Sequence, residues 1–188
     1  MDKQYVSRGG VKLQAAIDSF QIGITGKIVL DVGSSTGGFV DCLLQNGASK
    51  VYSVDTAYGE LAWKLRNDPR VVVMERTNIL HLENLPEQVD LVTIDAGWTK
   101  LELVLLVAKK FLKPGGHMIA LLKPHYETDK GNLIKGVVKS ELVEKISNSV
   151  IENVTQLGFV IINRIESPIL GSLGKGNKEY LLLIQAAK

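Results

Sequence analysis

Cysteine and long apolar runs are both scarce in this chain. Cys42 is the only cysteine among the 188 residues, which excludes an internal disulfide and a cysteine-based metal site and fits a reducing cytoplasm. No apolar run approaches the roughly 18 residues that a membrane span needs. The first residues, MDKQYVSRGG, lack the apolar stretch of a signal peptide. The sequence therefore predicts a soluble, cytoplasmic protein without membrane contact, in which Cys42 is a small buried side chain.

Excess charge is scarce as well. The chain has 22 Lys and Arg against 20 Asp and Glu, a net charge of +2 and an isoelectric point of about 8.6. This weakly basic balance permits a nucleic-acid partner without demanding one, because dedicated nucleic-acid binders carry denser basic patches. Hydrophobic residues make up 45% of the chain, and neither repeats nor a linker divide it. We therefore expect one compact domain over residues 1–188.

Short runs rich in Val, Ile and Leu alternate with helix-like segments. The predicted strands cover 27–32, 50–55, 70–75, 89–95 and 117–124. The predicted helices between them lie near 38–47, 59–67 and 101–112, and the last ends at the stop signal KPGG. Continuous apolar strands are typical of parallel sheets that are covered on both faces. The alternation predicts an α/β fold with a mostly parallel, doubly wound sheet.

The last third of the chain breaks this alternation. Residues 139–157 carry apolar side chains at helical spacing, and two strands, 158–167 and 178–185, follow with no room for a helix between them. Strands joined in this way pair antiparallel more readily than parallel. A parallel sheet with an antiparallel C-terminal strand is the arrangement of class I methyltransferases, a Rossmann-like fold that differs from the dinucleotide dehydrogenases.

A glycine-rich turn, GSSTGG, follows the first predicted strand. It is not the G-x-G-x-x-G of dinucleotide-binding proteins, because Ser35 stands at the second glycine position and Asp31 precedes the turn. An acid there repels a pyrophosphate but attracts the amino group of S-adenosylmethionine, which has a sulfonium cation and no phosphate. Glycines in the turn permit a sharp bend and leave room for a ligand against the main chain. The predicted S-adenosylmethionine contacts in this segment are Asp31, Gly33, Ser35, Thr36, Gly37 and Gly38.

Two residues further along fit the same cofactor. Asp55 ends the second strand 22 residues after Gly33, where a carboxylate can accept hydrogen bonds from both ribose hydroxyls. Asn78, in ERTN after the third strand, can read an adenine edge with its amide. Taken alone, an aspartate at a strand end is as well explained as a cap or a solvated residue. The order of these features along the chain favours S-adenosylmethionine over NAD.

Charged residues are expected to meet at one edge of the sheet. Asp95 and Lys123 end neighbouring strands, and Glu179 begins the last one. Ligands of open α/β sheets bind beyond the carboxyl ends of the strands, and the start of an antiparallel last strand meets the same edge. These three residues should form a row, which Lys12 of an N-terminal helix can complete. Singly, Lys12 is typical of a solvated helix face and Glu179 of a charge that protects an edge strand.

A Lys-Asp-Lys-Glu group suits methylation of a ribose 2′-hydroxyl. This hydroxyl is a poor nucleophile, so a base must take its proton or orient its lone pair toward the methyl group. We expect the carboxylates mainly to position the lysines, and alignment of the reacting atoms to supply much of the rate. The sequence leaves open whether Lys123 is a base or an orienting group.

Long stretches of the sequence resemble the hemolysin/TlyA-type branch of the FtsJ-like ribose methyltransferases. They are YVSRGGVKLQAAID, LDVGSSTGGFVDCLLQNGASKVYSVDTAYGELAWKLRNDPRV, ERTN and SPILGSLGKGNKEYLLLI, and the resemblance covers about residues 5–186. It implies an S-adenosylmethionine-dependent 2′-O-methyltransferase acting on RNA, with ribosomal RNA or a ribosomal subunit as the substrate. The family's catalytic tetrad falls on Lys12, Asp95, Lys123 and Glu179, and all four identities are kept.

The chain departs from this family in three places. Family members usually carry an S4-type RNA-binding domain ahead of SRGG, so RNA affinity is expected to need a separate RNA-binding domain or partner. DAGWTKL stands where the family has a Ser-Phe-containing segment, and KPHYE stands in place of KPQFE. Both changes lie on the substrate side, so the resemblance does not fix the acceptor nucleotide.

Several residues near the predicted site admit two interpretations. Trp98 stacks on an acceptor base or packs beneath a loop. His125 and Tyr126 contact the substrate or anchor their loop, and the polar connection 125–138 is a lid or a disordered segment. The sequence DAGW lacks the prolines that amino-group methyltransferases commonly have at this point, which argues against base N-methylation.

Three other functions remain as alternatives. An O-methyltransferase for a small molecule fits the modest charge, but the Lys-Asp-Lys-Glu set opposes it. A cofactor-binding protein without activity is opposed by Lys123 and Asp95. A hemolysin-like cytolysin needs a membrane-inserting segment, and the sequence offers neither a long apolar run nor a basic amphipathic helix.

Overall fold

The computed structural model describes residues 4–97, 99–171 and 176–187. Its strands, numbered along the chain, are β1 (Ile28–Val32), β2 (Lys50–Val54), β3 (Val71–Met74), β4 (Val89–Ile94), β5 (Leu112–Leu122), β6 (Leu133–Ile134), β7 (Val137–Val138), β8 (Phe159–Glu166) and β9 (Tyr180–Ala186). Its α-helices are α1 (Gly9–Phe20), α2 (Gly38–Gln45), α3 (Trp63–Arg66), α4 (Leu101–Ala108) and α5 (Ser140–Gln156). Short 3-10 turns cover Ile79–His81, Lys109–Phe111, Pro124–Tyr126 and Lys130–Asn132.

Seven strands form one sheet in the order β3-β2-β1-β4-β5-β9-β8. The five strands β1 to β5 are parallel to their neighbours, whereas β9 runs antiparallel to both β5 and β8. The predicted α/β fold, with a mostly parallel sheet and an antiparallel C-terminal strand, is therefore confirmed. Strands β6 and β7 pair with each other in a separate hairpin.

Apolar side chains cover both faces of the sheet, because successive residues of a strand point to opposite faces. Val29 of β1 belongs to the cluster that contains α1 and α2, and the next residue, Leu30, belongs to the cluster that contains α4 and α5. Cys42 of α2 has no exposed surface, and burial raises the pKa of its thiol to about 12. The prediction of Cys42 as a buried side chain is confirmed.

Three sequence predictions need correction. KPGG does not end a helix: α4 ends at Ala108, and 113–116 lie in an irregularity of β5, where the partner of β4 shifts from Leu112 to His117. The helix expected over 59–67 is reduced to the single turn α3. The loop expected over 125–138 folds into two 3-10 turns and the hairpin β6–β7. Within the described part of the chain, no helix has both the length and the apolar character that a membrane crossing requires.

Candidate functional site

A cavity of about 970 Å³ opens beyond the carboxyl ends of the parallel strands. Its wall comes from the segment that leads into α1, from the turn after β1, from the ends of β4 and β5, and from the hairpin β6–β7. Ligand pockets in proteins usually measure about 300–1,000 Å³, so this one has room for a cofactor together with part of a second ligand. Lys12, Asp95, Lys123 and Glu179 all line it.

The four charged residues form two ion pairs. Lys12 Nζ lies 2.5 Å from Glu179 Oε2, and both side chains are less than a tenth exposed. Lys123 Nζ lies 2.5 Å from Asp95 Oδ1 and also donates a hydrogen bond to the backbone oxygen of Asp95 at 3.1 Å. The four predicted residues thus lie in the wall of one cavity. The structure also shows which lysine pairs with which carboxylate, which the sequence did not predict. Each lysine is held by a carboxylate, which fixes its position.

Local structure explains how these side chains reach the cavity. The N–H of Asp95 donates to Val32 O at 2.9 Å, which extends the β1–β4 ladder one residue beyond β4. Lys123 stands between β5 and a 3-10 turn, whose Tyr126 N–H donates to Lys123 O. The backbone oxygen of Glu179 accepts a hydrogen bond from Ser167 N–H at 2.8 Å, so the residue that follows β8 fixes the residue that precedes β9.

Gly33 brings the turn against the end of β4. It has φ +82°, and a Cβ atom there would lie 2.9 Å from both the carbonyl carbon and the oxygen of Asp95. Only glycine fits this backbone contact without strain. Ser35, also in the left-handed region with φ 46°, donates its N–H to Asp55 Oδ2 at 2.7 Å. Gly33, Ser35 and Thr36 line the cavity, and their contact with a cofactor stays a prediction.

Gly37 and Gly38 make room for neighbouring atoms of the protein. A Cβ at Gly37 would lie 2.3 Å from Leu65 Cδ1, and one at Gly38 would lie 2.2 Å from Ser7 Oγ. The first glycine therefore lets α3 pack on the turn, and the second lets α1 approach α2. Gly38 still contributes to the cavity wall, so contact with a ligand through its backbone stays a prediction.

Asp31 is fully buried beneath the turn. Its Oδ1 accepts a hydrogen bond from Thr93 Oγ1 at 2.6 Å, whereas Oδ2 has no partner among the described residues. Burial raises the pKa of Asp31 to about 7, against the lowering effect of the Thr93 hydrogen bond. Direct contact with a ligand is not available to a side chain with no exposed surface. The unpaired charge nevertheless fits a cationic cofactor above the turn, which would stabilise it through space.

A pH profile tests this interpretation of Asp31. Because its pKa is raised in the folded state, its contribution to stability is present below about pH 4 and is lost as the pH rises toward 7. Asp31→Asn cannot titrate, so we expect the wild type to lose stability relative to this variant between pH 4 and 7. Thermal unfolding of both proteins across that range measures the difference, and a difference that is constant with pH would contradict the assignment.

Asp55 and Asn78 lie at the same edge of the sheet but outside the lining of the cavity. Asp55 accepts hydrogen bonds from Ser35 N–H and, at 2.8 Å, from Ala57 N–H, so it fixes the turn. Each carboxylate oxygen has a second lone pair, which leaves capacity for the predicted ribose contact. Asn78 is exposed, and its Oδ1 accepts from Leu80 N–H at 2.9 Å. Both cofactor contacts stay predictions.

His125 is half-buried in the cavity wall. Its ring centroid lies 4.2 Å from that of Tyr126. Burial, followed by the charges of Lys123 and Lys12, lowers the pKa of His125 to about 4. The imidazole is therefore neutral near pH 7 and does not act as a cation for a phosphate. Trp98 lies outside the described residues.

Several residues of the cavity wall were not predicted from the sequence, among them Tyr5, Leu133 and Asn177. Tyr5 and Asn177 are buried, and each stands within a motif that was noted for other residues. Leu133 belongs to the segment interpreted as a loop. The sequence did offer a reason to include Asn177 in the site. It is a polar residue two positions before Glu179, and such residues point to the same side of an extended chain.

Comparison with known proteins places the chain in a family. The model of the FtsJ-like methyltransferase family matches residues 5–186. The chain is 43% identical over 187 residues to "Putative rRNA methyltransferase YqxC" of Bacillus subtilis, covering 95% of this chain and 65% of that protein. It is 38% identical over 188 residues to "16S/23S rRNA (cytidine-2'-O)-methyltransferase TlyA" of Mycobacterium tuberculosis, covering 98% of this chain and 69% of that protein.

A solved structure is similar over the whole chain. "Putative hemolysin from Streptococcus thermophilus" superposes with a TM-score of 0.93 at 37% identity, covering 100% of this chain and 69% of that one. The chain thus spans about two thirds of the length of these relatives. The comparisons confirm the predicted resemblance, the class I methyltransferase fold and S-adenosylmethionine as the cofactor. The chain belongs to the FtsJ-like methyltransferase family.

Proposed function

We propose that this chain transfers a methyl group from S-adenosylmethionine to a ribose 2′-hydroxyl of ribosomal RNA. The observation that carries the proposal is the pair of ion pairs, Lys12–Glu179 and Lys123–Asp95, in the wall of one cavity beside the glycine-rich turn. The name of the Mycobacterium tuberculosis relative specifies cytidine 2′-O-methylation of 16S and 23S rRNA, which makes cytidine the first nucleotide to test.

The residues divide into a cofactor end and an acceptor end. Gly33, Ser35, Thr36 and the buried charge of Asp31 belong to the cofactor end, at the point where the order of the strands reverses between β1 and β4. In open α/β sheets this point is the usual ligand site. When bound, S-adenosylmethionine supplies a methyl group on a sulfonium, which becomes a neutral thioether after transfer.

Lys123 holds the central position in the proposed reaction. Two oxygens of Asp95 receive the N–H groups of its amine, which leaves one direction of the amine for the 2′-hydroxyl. As a neutral amine, Lys123 would accept the hydroxyl proton with its lone pair in that direction. As an ammonium, it would donate its third N–H to the 2′-oxygen and orient the oxygen lone pair for displacement. Lys12 and Glu179 are more deeply buried and position the ribose, so that aligned reactants supply much of the acceleration.

Labelled methyl transfer tests this proposal. The purified chain would be incubated with S-adenosylmethionine carrying a labelled methyl group and with total RNA, separated ribosomal subunits or whole ribosomes. We expect label in ribosomal RNA, and the preferred substrate among these identifies the partner. Absence of label from every RNA, with cofactor binding intact, would contradict the ribosomal assignment and favour a small-molecule acceptor.

A further inference from the structure

The hairpin β6–β7, residues 133–138, forms one wall of the cavity without belonging to the large sheet. Its two residue pairs are joined by Lys135 and Gly136, both with positive φ of 50° and 82°, a two-residue turn that is typical of tight hairpins. Leu133 and Gly136 line the cavity. A two-stranded hairpin this short is marginally stable in water by itself, so its position depends on what anchors it.

Asn177 anchors the hairpin through both ends of its side-chain amide. Its Oδ1 accepts a hydrogen bond from Val138 N–H at 3.0 Å, and its Nδ2 donates to Gly136 O at 2.9 Å. The residue is only 8% exposed, so water does not readily replace these bonds. These two hydrogen bonds need an acceptor and a donor on one short side chain, and neither aspartate nor leucine supplies both.

Asn177 is also connected, through Gly171, to Glu179 of the proposed catalytic residues. The backbone oxygen of Asn177 accepts from Gly171 N–H at 2.9 Å. Gly171 lies so close to Glu179 that a Cβ there would be 2.8 Å from Glu179 Oε1. Asn177 therefore sets the hairpin at a fixed place relative to the carboxylate that holds Lys12.

The hairpin lies at the acceptor end of the cavity. The cofactor end is at β1 and β4, whereas the hairpin follows β5 and is bonded to a residue that precedes β9, further along the same edge. We propose that Asn177 is a positioning residue that fixes the hairpin as the wall against which the acceptor nucleotide of the RNA docks. This inference rests on the proposed function for the identity of the acceptor.

Hydrogen exchange tests the anchoring without reference to activity. In Asn177→Ala, the Val138 N–H loses its acceptor, and we expect amides of 133–138 to exchange about tenfold faster or more, while those of β4 do not change. Asn132→Ala is the matched control, because the side-chain amide of Asn132 donates to Thr128 Oγ1 at 2.8 Å and, among the described residues, to no atom of the hairpin. Exchange of the hairpin at the wild-type rate in Asn177→Ala would overturn the anchoring.

Kinetics test the role of the wall. For Asn177→Ala we expect KM for ribosomal RNA to rise about tenfold, with kcat within about threefold and Kd for S-adenosylmethionine within about twofold of wild type. Asn132→Ala should keep the wild-type KM. A weakened Kd for S-adenosylmethionine with an unchanged KM for RNA would overturn the acceptor assignment. If the wild type methylates no RNA, the proposed function fails, and the exchange rates still decide the anchoring.

Discussion

Replacing Lys123 by alanine is expected to lower kcat for methyl transfer by about 10²–10⁴-fold, the usual contribution of a general acid–base group. The reason is that Lys123 is the amine that Asp95 holds in the cavity wall through its carboxylate and its backbone oxygen. Binding of S-adenosylmethionine should remain within a few-fold of wild type, because the glycine-rich turn stays intact. Single-turnover transfer and calorimetric titration measure the two quantities separately.

Lys113→Ala is the matched control for this experiment. Lys113 is also an ion-paired lysine of the β5 region, with its Nζ 2.6 Å from Asp90 Oδ1, but it lies at the opposite end of the strand from Lys123. We expect kcat of Lys113→Ala to lie within about twofold of wild type. Loss of an exposed ion pair changes the stability of the fold little, and Lys113 does not line the cavity. Equal losses of kcat in both variants would mean that Lys123 acts through the fold and not through the reaction.

Replacing Gly33 by alanine is expected to have the largest effect on the cofactor site. The substitution forces alanine into the left-handed region and sets its Cβ 2.9 Å from the carbonyl group of Asp95. Strain and displacement of the backbone together should lower the free energy of unfolding by roughly 2–5 kcal/mol. Affinity for S-adenosylmethionine should fall about tenfold or more, because the turn moves away from β4. Urea unfolding and calorimetric titration provide the two measurements.

Gly26→Ala separates backbone strain from the contact with Asp95. Gly26 has a similar φ of +76°, but nothing lies within 4 Å of the Cβ that alanine would add. We expect a cost of about 1–2 kcal/mol from the backbone alone and unchanged cofactor affinity. If Gly33→Ala behaves like Gly26→Ala in both measurements, the close contact with Asp95 has no role in the site.

The main sheet could be predicted from the sequence because its central strands, such as β1 and β4, are buried on both faces. Runs such as KIVLDV and VDLVTID can be recognised without knowledge of the neighbouring strands. The observed β1 begins one residue later and β4 ends one residue earlier than predicted, and their other ends agree. The meeting of Asp95, Lys123 and Glu179 at one edge of the sheet followed from the same pattern, since residues just beyond parallel strands share an edge. Lys12 was added from its place on the predicted N-terminal helix, and the family resemblance supported that assignment.

The remaining features depend on contacts between distant residues. Lys12 and Glu179 are 167 residues apart, so their pairing is a product of the tertiary fold. The hairpin β6–β7 was predicted as a loop because its strands have two residues each and are hydrogen-bonded to the distant Asn177. The KPGG segment was predicted to end a helix because Pro and Gly commonly follow helices. The same residues also suit an irregular part of a strand, which is where they lie in β5. The neighbours for which Gly37 and Gly38 make room, Leu65 and Ser7, could not be predicted because they come from other segments of the chain.

The site of methylation on the nucleotide tests the central claim most directly. RNA methylated by the purified chain would be digested to nucleosides and analysed by fragmentation mass spectrometry, which separates the mass of the ribose from that of the base. A cavity that presents Lys123 and Asp95 to a ribose hydroxyl predicts that the added methyl group stays with the ribose fragment, and that this product is lost in Lys123→Ala. A methyl group on the base fragment would contradict the assignment of these residues to 2′-O-methylation.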